Sequence, residues 1–173
     1  MRIWTDAIDA GGNFDPRYTC DIDNSSPELH WEAAPLNTAG FVLMVEDLDS
    51  RPALSIAGQP ENSSLSQGPF SHWIVYHIPK EIFHLPAGIP PQDALPNGIR
   101  QGLNGFNKLG YSGPCPPKGS KEHRYVFKLF SLSQLPDIPS RANREVVLSI
   151  IMPFVSTIAE LHGKYRRHSE KAG

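Results

Sequence analysis

Ten consecutive residues, Gly110-Tyr111-Ser112-Gly113-Pro114-Cys115-Pro116-Pro117-Lys118-Gly119, hold three glycines and three prolines. That density restricts the fold more than any other stretch of the chain. Proline lacks the amide hydrogen that a helix interior or a central strand needs, and glycine reaches backbone angles that other residues avoid. The segment is therefore a stiff, shaped loop. Soon after it, His123-Arg124-Tyr125-Val126-Phe127-Lys128-Leu129-Phe130 alternates, with His123, Tyr125, Phe127 and Leu129 on one face of a strand. A titratable ring stands where the rigid loop meets a sheet. The same bias runs through the whole chain: 17 of its 173 residues are proline, about twice the usual share, which favours turns over helices.

Strand signals dominate the rest. Residues 41–46 form a nearly continuous apolar run of strand length, as expected where both faces of a strand are covered. Residues 73–78 and 125–132 are two more, and 18–20 and 29–31 read as shorter strands bounded by Asp, Asn, Ser and Pro. Long irregular connections, 52–70 and 84–119, separate them, and loops of that length on a rigid scaffold are where binding chemistry usually lies. Helix is expected only near the end: one over 144–151, and a second opened by Pro153. In the second, Phe154, Val155, Ile158, Leu161 and Tyr165 recur at helical spacing, and Lys164, Arg166 and Arg167 complement its C-terminus. No repeat or linker divides the sequence. The expectation is one mainly β domain over 1–173, two packed antiparallel sheets with peripheral C-terminal helices.

A net charge of -2 offers no basic footprint for nucleic acid or an anionic membrane surface. The start, Met1-Arg2-Ile3-Trp4-Thr5-Asp6, has no apolar signal core, and no run of about 18 apolar residues occurs. The expected setting is cytoplasmic, without integral membrane association. Cys20 and Cys115 form no C-x-x-C pair, so two buried free thiols are the default reading and a single disulfide the alternative.

Among polar residues, Asp47 and Asp49 close the 41–46 strand, and i, i+2 spacing in extended chain aims both carboxylates to one side. Such a pair could bind a metal, act as acid and base, or only end a strand. His72 opens the next strand, where a hydrogen-bonded rim residue is as natural as a ligand; His77 falls on the opposite face by parity. Ser112 lacks the second glycine and the strand-to-helix turn of a nucleophile elbow. A Cys115–His123 pair has no helix N-terminus to lower a thiol pKa. No zinc-protease, Walker or dinucleotide fingerprint is present. These absences assign no catalytic residue, metal or cofactor and favour binding over enzymatic turnover.

Taken in order, Tyr18-Thr19-Cys20-Asp21, Ser26-Pro27, Leu29, Trp31, Ala34-Pro35, Asp47, Asp49, His72-Trp73, the 110–119 loop, His123-Arg124-Tyr125 with Phe127, and Ala159-Glu160-Leu161 with Gly163 and Tyr165 resemble the phosphatidylethanolamine-binding protein family, also called Raf kinase inhibitor-like proteins, in its bacterial and archaeal branch. The resemblance implies a large antiparallel sheet packed on a smaller one, and a small pocket for phosphate-like or carboxylate groups such as phospholipid head groups. By position the pocket comprises Asp47, His72, the backbone of Gly110 and Gly113 with Pro114, and His123 with Tyr125. Both imidazoles and the loop amides would donate to the anion. Asp49 and Arg51 are further candidates, because Arg51-Pro52 departs from the family's usual Asp-Pro-Asp-Ala-Pro and sets a guanidinium near the pocket mouth. His77 stands where the family usually has asparagine. The expected function is non-catalytic binding of a small anionic ligand. The alternative is a regulator that inhibits a protease or kinase through its loops, and a homodimer is compatible with either.

Overall fold

The computed structural model describes residues 1–50 and 68–168; Arg51 and most of the 52–70 connection lie outside the described residues. Two antiparallel sheets make the scaffold. A small sheet has the order β1 (Arg2–Trp4), β2 (Leu29–Glu32), β5 (His84–Leu85). The large sheet has the order β6 (Arg100–Gln101), β4 (Phe70–Pro79), β3 (Gly40–Asp47), β7 (His123–Leu132), β8 (Val155–Tyr165). Among the described residues one α-helix, α1 (Arg144–Ile151), packs beside the large sheet.

The apolar run of β3 is explained by its place. Its odd residues Phe41, Leu43 and Val45 join Leu29, Trp31, Trp73, Val75, Tyr125 and Phe127 in the core between the sheets. Its even residues Val42 and Met44 join Ile74, Tyr76, Phe130, Val147 and Ile151 under α1. The one acid among these even residues of β3, Glu46, is buried and paired with Arg144 of α1 and with Lys128 of β7 at 2.9 Å. Asn143 caps α1 by accepting from the Val146 N–H.

Two expected elements differ. The C-terminal segment is not a helix but the strand β8, paired with β7 from Leu132↔Val155 to His123↔Tyr165. Leu161 and Tyr165, four apart, share a face under either period, so they misled the helical reading. The β-branched Val155, Thr157 and Ile158 suit a pleated surface, and Ile158 stays exposed where the helical pattern placed it in the core. Pro153 sits in a 3₁₀ turn, Met152–Phe154, that follows α1. Residues 18–20 are not a strand either: Pro16–Tyr18 is a 3₁₀ turn, because Pro16 presets its first angle and Asp15 accepts from the Arg17 N–H.

β4 carries two bulges. Val45 pairs with Trp73 but Glu46 with Ser71, leaving His72 as the extra residue; Phe41 pairs with Ile78 but Leu43 with Val75, leaving an extra residue beside His77, whose φ is +56°. A bulge redirects side chains, and the first one governs the site.

Candidate functional site

Strict alternation along β4 would send His72 to the α1 face with Ile74 and Tyr76. The bulge instead turns its ring toward Tyr125, 5.4 Å away between ring centroids, on the face that also carries Trp73. Asp47, at the end of β3, pairs with Phe70 of β4 and Tyr125 of β7. His123 and Tyr125 lie two apart on β7 and share its inner face. Three neighbouring strand ends thus bring Asp47, His72, His123 and Tyr125 together. Beside them a cleft of about 320 Å³ is lined by Asp47, Ser50, Phe70, His72, Gly105, Phe106 and Cys115.

The polar groups are held in defined orientations. Asp47 Oδ1 accepts from the Asp49 N–H at 2.8 Å and the Ser50 N–H at 3.1 Å, and Oδ2 from His123 Nδ1–H at 2.8 Å. His72 Nδ1–H donates to the Ser112 carbonyl at 2.5 Å, while the Ser112 N–H donates back to the His72 carbonyl at 2.9 Å. Since a carbonyl or carboxylate can only accept, both rings carry a proton on Nδ1, and Nε2 is the remaining hydrogen-bonding atom of each. Burial pushes the His72 pKa down from the ordinary histidine value, against the opposing pull of the Ser112 carbonyl and the Asp47 charge. The Tyr125 hydroxyl is buried beside the Asp47 carboxylate. Burial first, and the Asp47 charge second, raise its pKa, so it remains a donor.

The 110–119 loop borders this cluster as expected, but its groups have other duties. Gly110 adopts φ +81°, and its carbonyl accepts from Asn104 Nδ2 at 3.0 Å. Gly113 donates its N–H to Asn24 Oδ1 at 2.7 Å, and a Cβ there would lie 2.2 Å from the Tyr18 carbonyl oxygen. The Gly113 amide is therefore committed inside the protein, contrary to the expected role of donor to an anion. Pro114 is buried, and its carbonyl accepts from the Cys20 N–H at 3.2 Å.

Cys20 and Cys115 are joined in a disulfide, Cα–Cα 5.4 Å, which overturns the free-thiol default. The cause is the docking of the loop on residues 18–24, where Tyr111 Oη–H also reaches the Tyr18 carbonyl at 2.6 Å.

Asp49 does not join Asp47. β3 ends at Asp47, whose side chain caps the following turn, so the two-residue alternation no longer applies. Asp49 instead accepts from the Arg124 N–H at 2.9 Å and from its guanidinium at 3.0 and 3.1 Å. These bonds hold the Asp49 carboxyl well below the usual carboxylate range. His77 lies at the far end of β4, where Nε2–H donates to the Pro136 carbonyl at 3.0 Å. With two bulges between the faces, distance rather than parity keeps it out of the site. Arg51 lies outside the described residues.

Sequence reasoning missed Asn104, a buried residue that holds Gly110, Ser112 and the Phe106 and Lys108 amides in place. It also missed the aromatic rim of Phe70 and Phe106, whose centroids lie 5.1 and 6.1 Å from that of His72. The Asn104-Gly105 turn and its following Phe offered a loop signal, but nothing local tied it to His72. Among the described residues no group of three or more His, Cys, Asp or Glu side chains is arranged to hold a metal ion, and no helix is long and apolar enough to cross a membrane.

The chain belongs to the phosphatidylethanolamine-binding protein family, whose family model matches residues 4–166. A UPF0098 protein of Methanothermobacter thermautotrophicus is 34% identical over 167 residues, covering 96% of this chain and 99% of its own. A UPF0098 protein of Aquifex aeolicus is 34% identical over 168 residues, covering 96% and 89%. The crystal structure of Escherichia coli YbcL, described as a new member of the mammalian PEBP family, matches with a TM-score of 0.78 at 29% identity over 95% of this chain and 97% of its own. That of the PEBP homologue CT736 from Chlamydia trachomatis does so with 0.78 at 27% identity, over 96% and 97%. The family and the two-sheet fold expected from the sequence are thereby established.

Proposed function

We propose that this protein binds a small oxyanion, a phosphate monoester, phosphorylated head group or carboxylate, at the cleft beside Asp47, His72 and His123, and does not turn it over. The observation that carries the reading is the pair of buried imidazoles whose Nδ1 atoms are both committed to protein acceptors. Each presents Nε2 as its second polar atom, an acceptor when neutral and a charged donor when protonated. An oxyanion favours the protonated form, so binding is coupled to proton uptake. The Tyr125 hydroxyl, buried beside Asp47 and kept protonated there, is a further donor for the same oxygens. Phe70 and Phe106 suit an apolar or aromatic group attached to the anion.

The arrangement supports binding rather than acyl transfer. Ser50 Oγ and Asp47 Oδ2 both face the same atom, His123 Nδ1, at 3.3 and 2.8 Å, whereas a serine–histidine–aspartate relay needs serine and aspartate on opposite ring nitrogens.

Titration calorimetry with inorganic phosphate tests the reading. In buffers of different ionisation enthalpy, wild type takes up protons on binding and its affinity falls from about pH 5 to about pH 8, the histidine window, while His72→Ala loses most of both. Affinity and proton count that ignore pH, or that survive His72→Ala, would defeat it.

A further inference from the structure

The small sheet carries a row of stacked rings that ends at a cleft. In the register of β1, β2 and β5, Trp4 lies opposite His30, and His30 opposite His84. Their rings stack in that order: Trp4 on His30 at 5.6 Å between centroids and 16° between planes, and His30 on His84 at 5.8 Å and 18°. β5 is the edge strand, and among the described residues no further ring stacks on His84. Beyond it the chain from 85 to 99 walls a cleft of about 480 Å³, lined by His84 together with Ile82, Leu85, Ile89, Leu95 and Ile99. Leu85 and Ile99 belong to the core between the sheets, and the other three pack against that core on one side and border the cleft on the other. The wall is held in shape. Gly88 and Ile89 donate their N–H groups to the Ser26 carbonyl and Oγ, both at 2.9 Å. The buried Gln101 donates to the Pro90 and Gln92 carbonyls at 2.7 and 2.8 Å, and itself accepts from Trp73 Nε1–H at 2.8 Å.

We propose that this cleft binds a small, uncharged, planar aromatic or heteroaromatic molecule, which lies on the open face of His84 as the next ring of the row. Three observations fix the chemistry of the occupant. The row supplies the plane, since offset-stacked rings at such spacings attract one another beyond the area they bury. The lining supplies the lack of charge: no acid, lysine or arginine is among the described residues that form it, and an ion moved against apolar walls without a partner loses its hydration uncompensated. Volume and rigidity supply the size, because a preformed apolar cleft of this order suits a bicyclic or tricyclic ligand. The amide side chains of Gln92 and Asn97, also in the lining, can meet a polar ring substituent. The cleft shares no lining residue with the one beside Asp47, so the two take ligands of opposite character.

N-phenylnaphthylamine, an uncharged aromatic probe whose emission rises in apolar surroundings, tests the proposal. Titrated into wild type it should give saturable fluorescence, and in nitrogen-15 correlation spectra it should shift the Ile89, Leu95 and Ile99 amides. His84→Ala removes the stacking face and should weaken binding about tenfold, whereas His84→Phe keeps that face and should retain wild-type affinity. Ala87 is exposed on the rim of the same cleft, and Ala87→Trp should fill the space and abolish binding. Circular dichroism checks the fold of each variant. Wild type that gives no saturable signal would overturn the proposal. So would shifts centred on Phe70 and Phe106 instead, or His84→Ala that binds as well as wild type. His84→Phe that loses as much affinity as His84→Ala would likewise remove ring stacking as the basis of the site.

Discussion

The two histidines of β4 occupy similar backbone settings and opposite chemical ones. His72 and His77 both sit at bulges. His72 is buried, ringed by Phe70, Phe106 and Tyr125, and its Nδ1 is fixed on Ser112. His77 is half-buried beside an open groove of about 620 Å³, lined also by Lys80, Glu81 and Asp137. That groove is nearly twice the size of the 320 Å³ cleft, yet its charged groups are solvated and do not converge. Volume therefore does not mark the site. What distinguishes the candidate site is a set of polar groups desolvated together, with Asp47, His72 and His123 each held in place by a protein partner.

Removing the tether at the His72 end has the largest expected effect. The disulfide closes a sequence separation of 95 residues, and loss of a native disulfide commonly costs about 2–5 kcal/mol. Cys20→Ser with Cys115→Ser should lower the melting temperature by several degrees and weaken phosphate binding, while leaving the fold at the His77 end intact. An unchanged melting temperature would mean that the loop's hydrogen bonds suffice.

Next in size, His72→Ala should reduce phosphate affinity by at least about tenfold, or about 1.4 kcal/mol, and His77→Ala should leave it unchanged; equal losses would erase the distinction. The third test is of pH. Because the folded state lowers the His72 pKa, the unfolded chain binds the proton more readily. Stability from this group is full above the unfolded value of about 6.5 and is lost as pH falls through that value toward the folded pKa. Urea midpoints should show this acid-side loss in wild type and a smaller one in His72→Gln. The smallest effect is at the other bulge. His77→Asn, a residue that tolerates positive φ, should change stability by less than about 1 kcal/mol, and a larger change would reveal a packing role for the imidazole.

The sequence made the strands legible where a continuous apolar run or a clear alternation marked them, as in β3, β4 and β7, and the short helix expected over 144–151 is where α1 lies. It misread β8 because Leu161 and Tyr165 satisfy two periods at once. Asp47, His72, His123 and Tyr125, which the fold brings together, could be named from the family motifs, but not Phe70, Phe106 or Asn104 beside them, nor the partners of any of these. The turn of His72 onto the inner face depends on a bulge, and a bulge is a relation between two strands that one strand's pattern does not contain. The disulfide, and the diversion of the Gly113 amide to Asn24, arise from contacts spanning 95 and 89 residues, beyond any local signal. Asp49 was misplaced because alternation was carried one step past the end of its strand.

β3 is bonded on both edges and covered on both faces, and all eight of its residues are buried. Its amides should be the slowest in the molecule to exchange with deuterium, opening only when the whole domain unfolds. Asp47 terminates this strand, so the carboxylate of the site is fixed to the most persistent part of the structure, whereas the 110–119 loop can detach at lower free energy. A ligand in the cleft should accordingly slow exchange at the Gly113 and Cys20 amides, which hydrogen-bond where that loop docks, well before it alters any amide in β3.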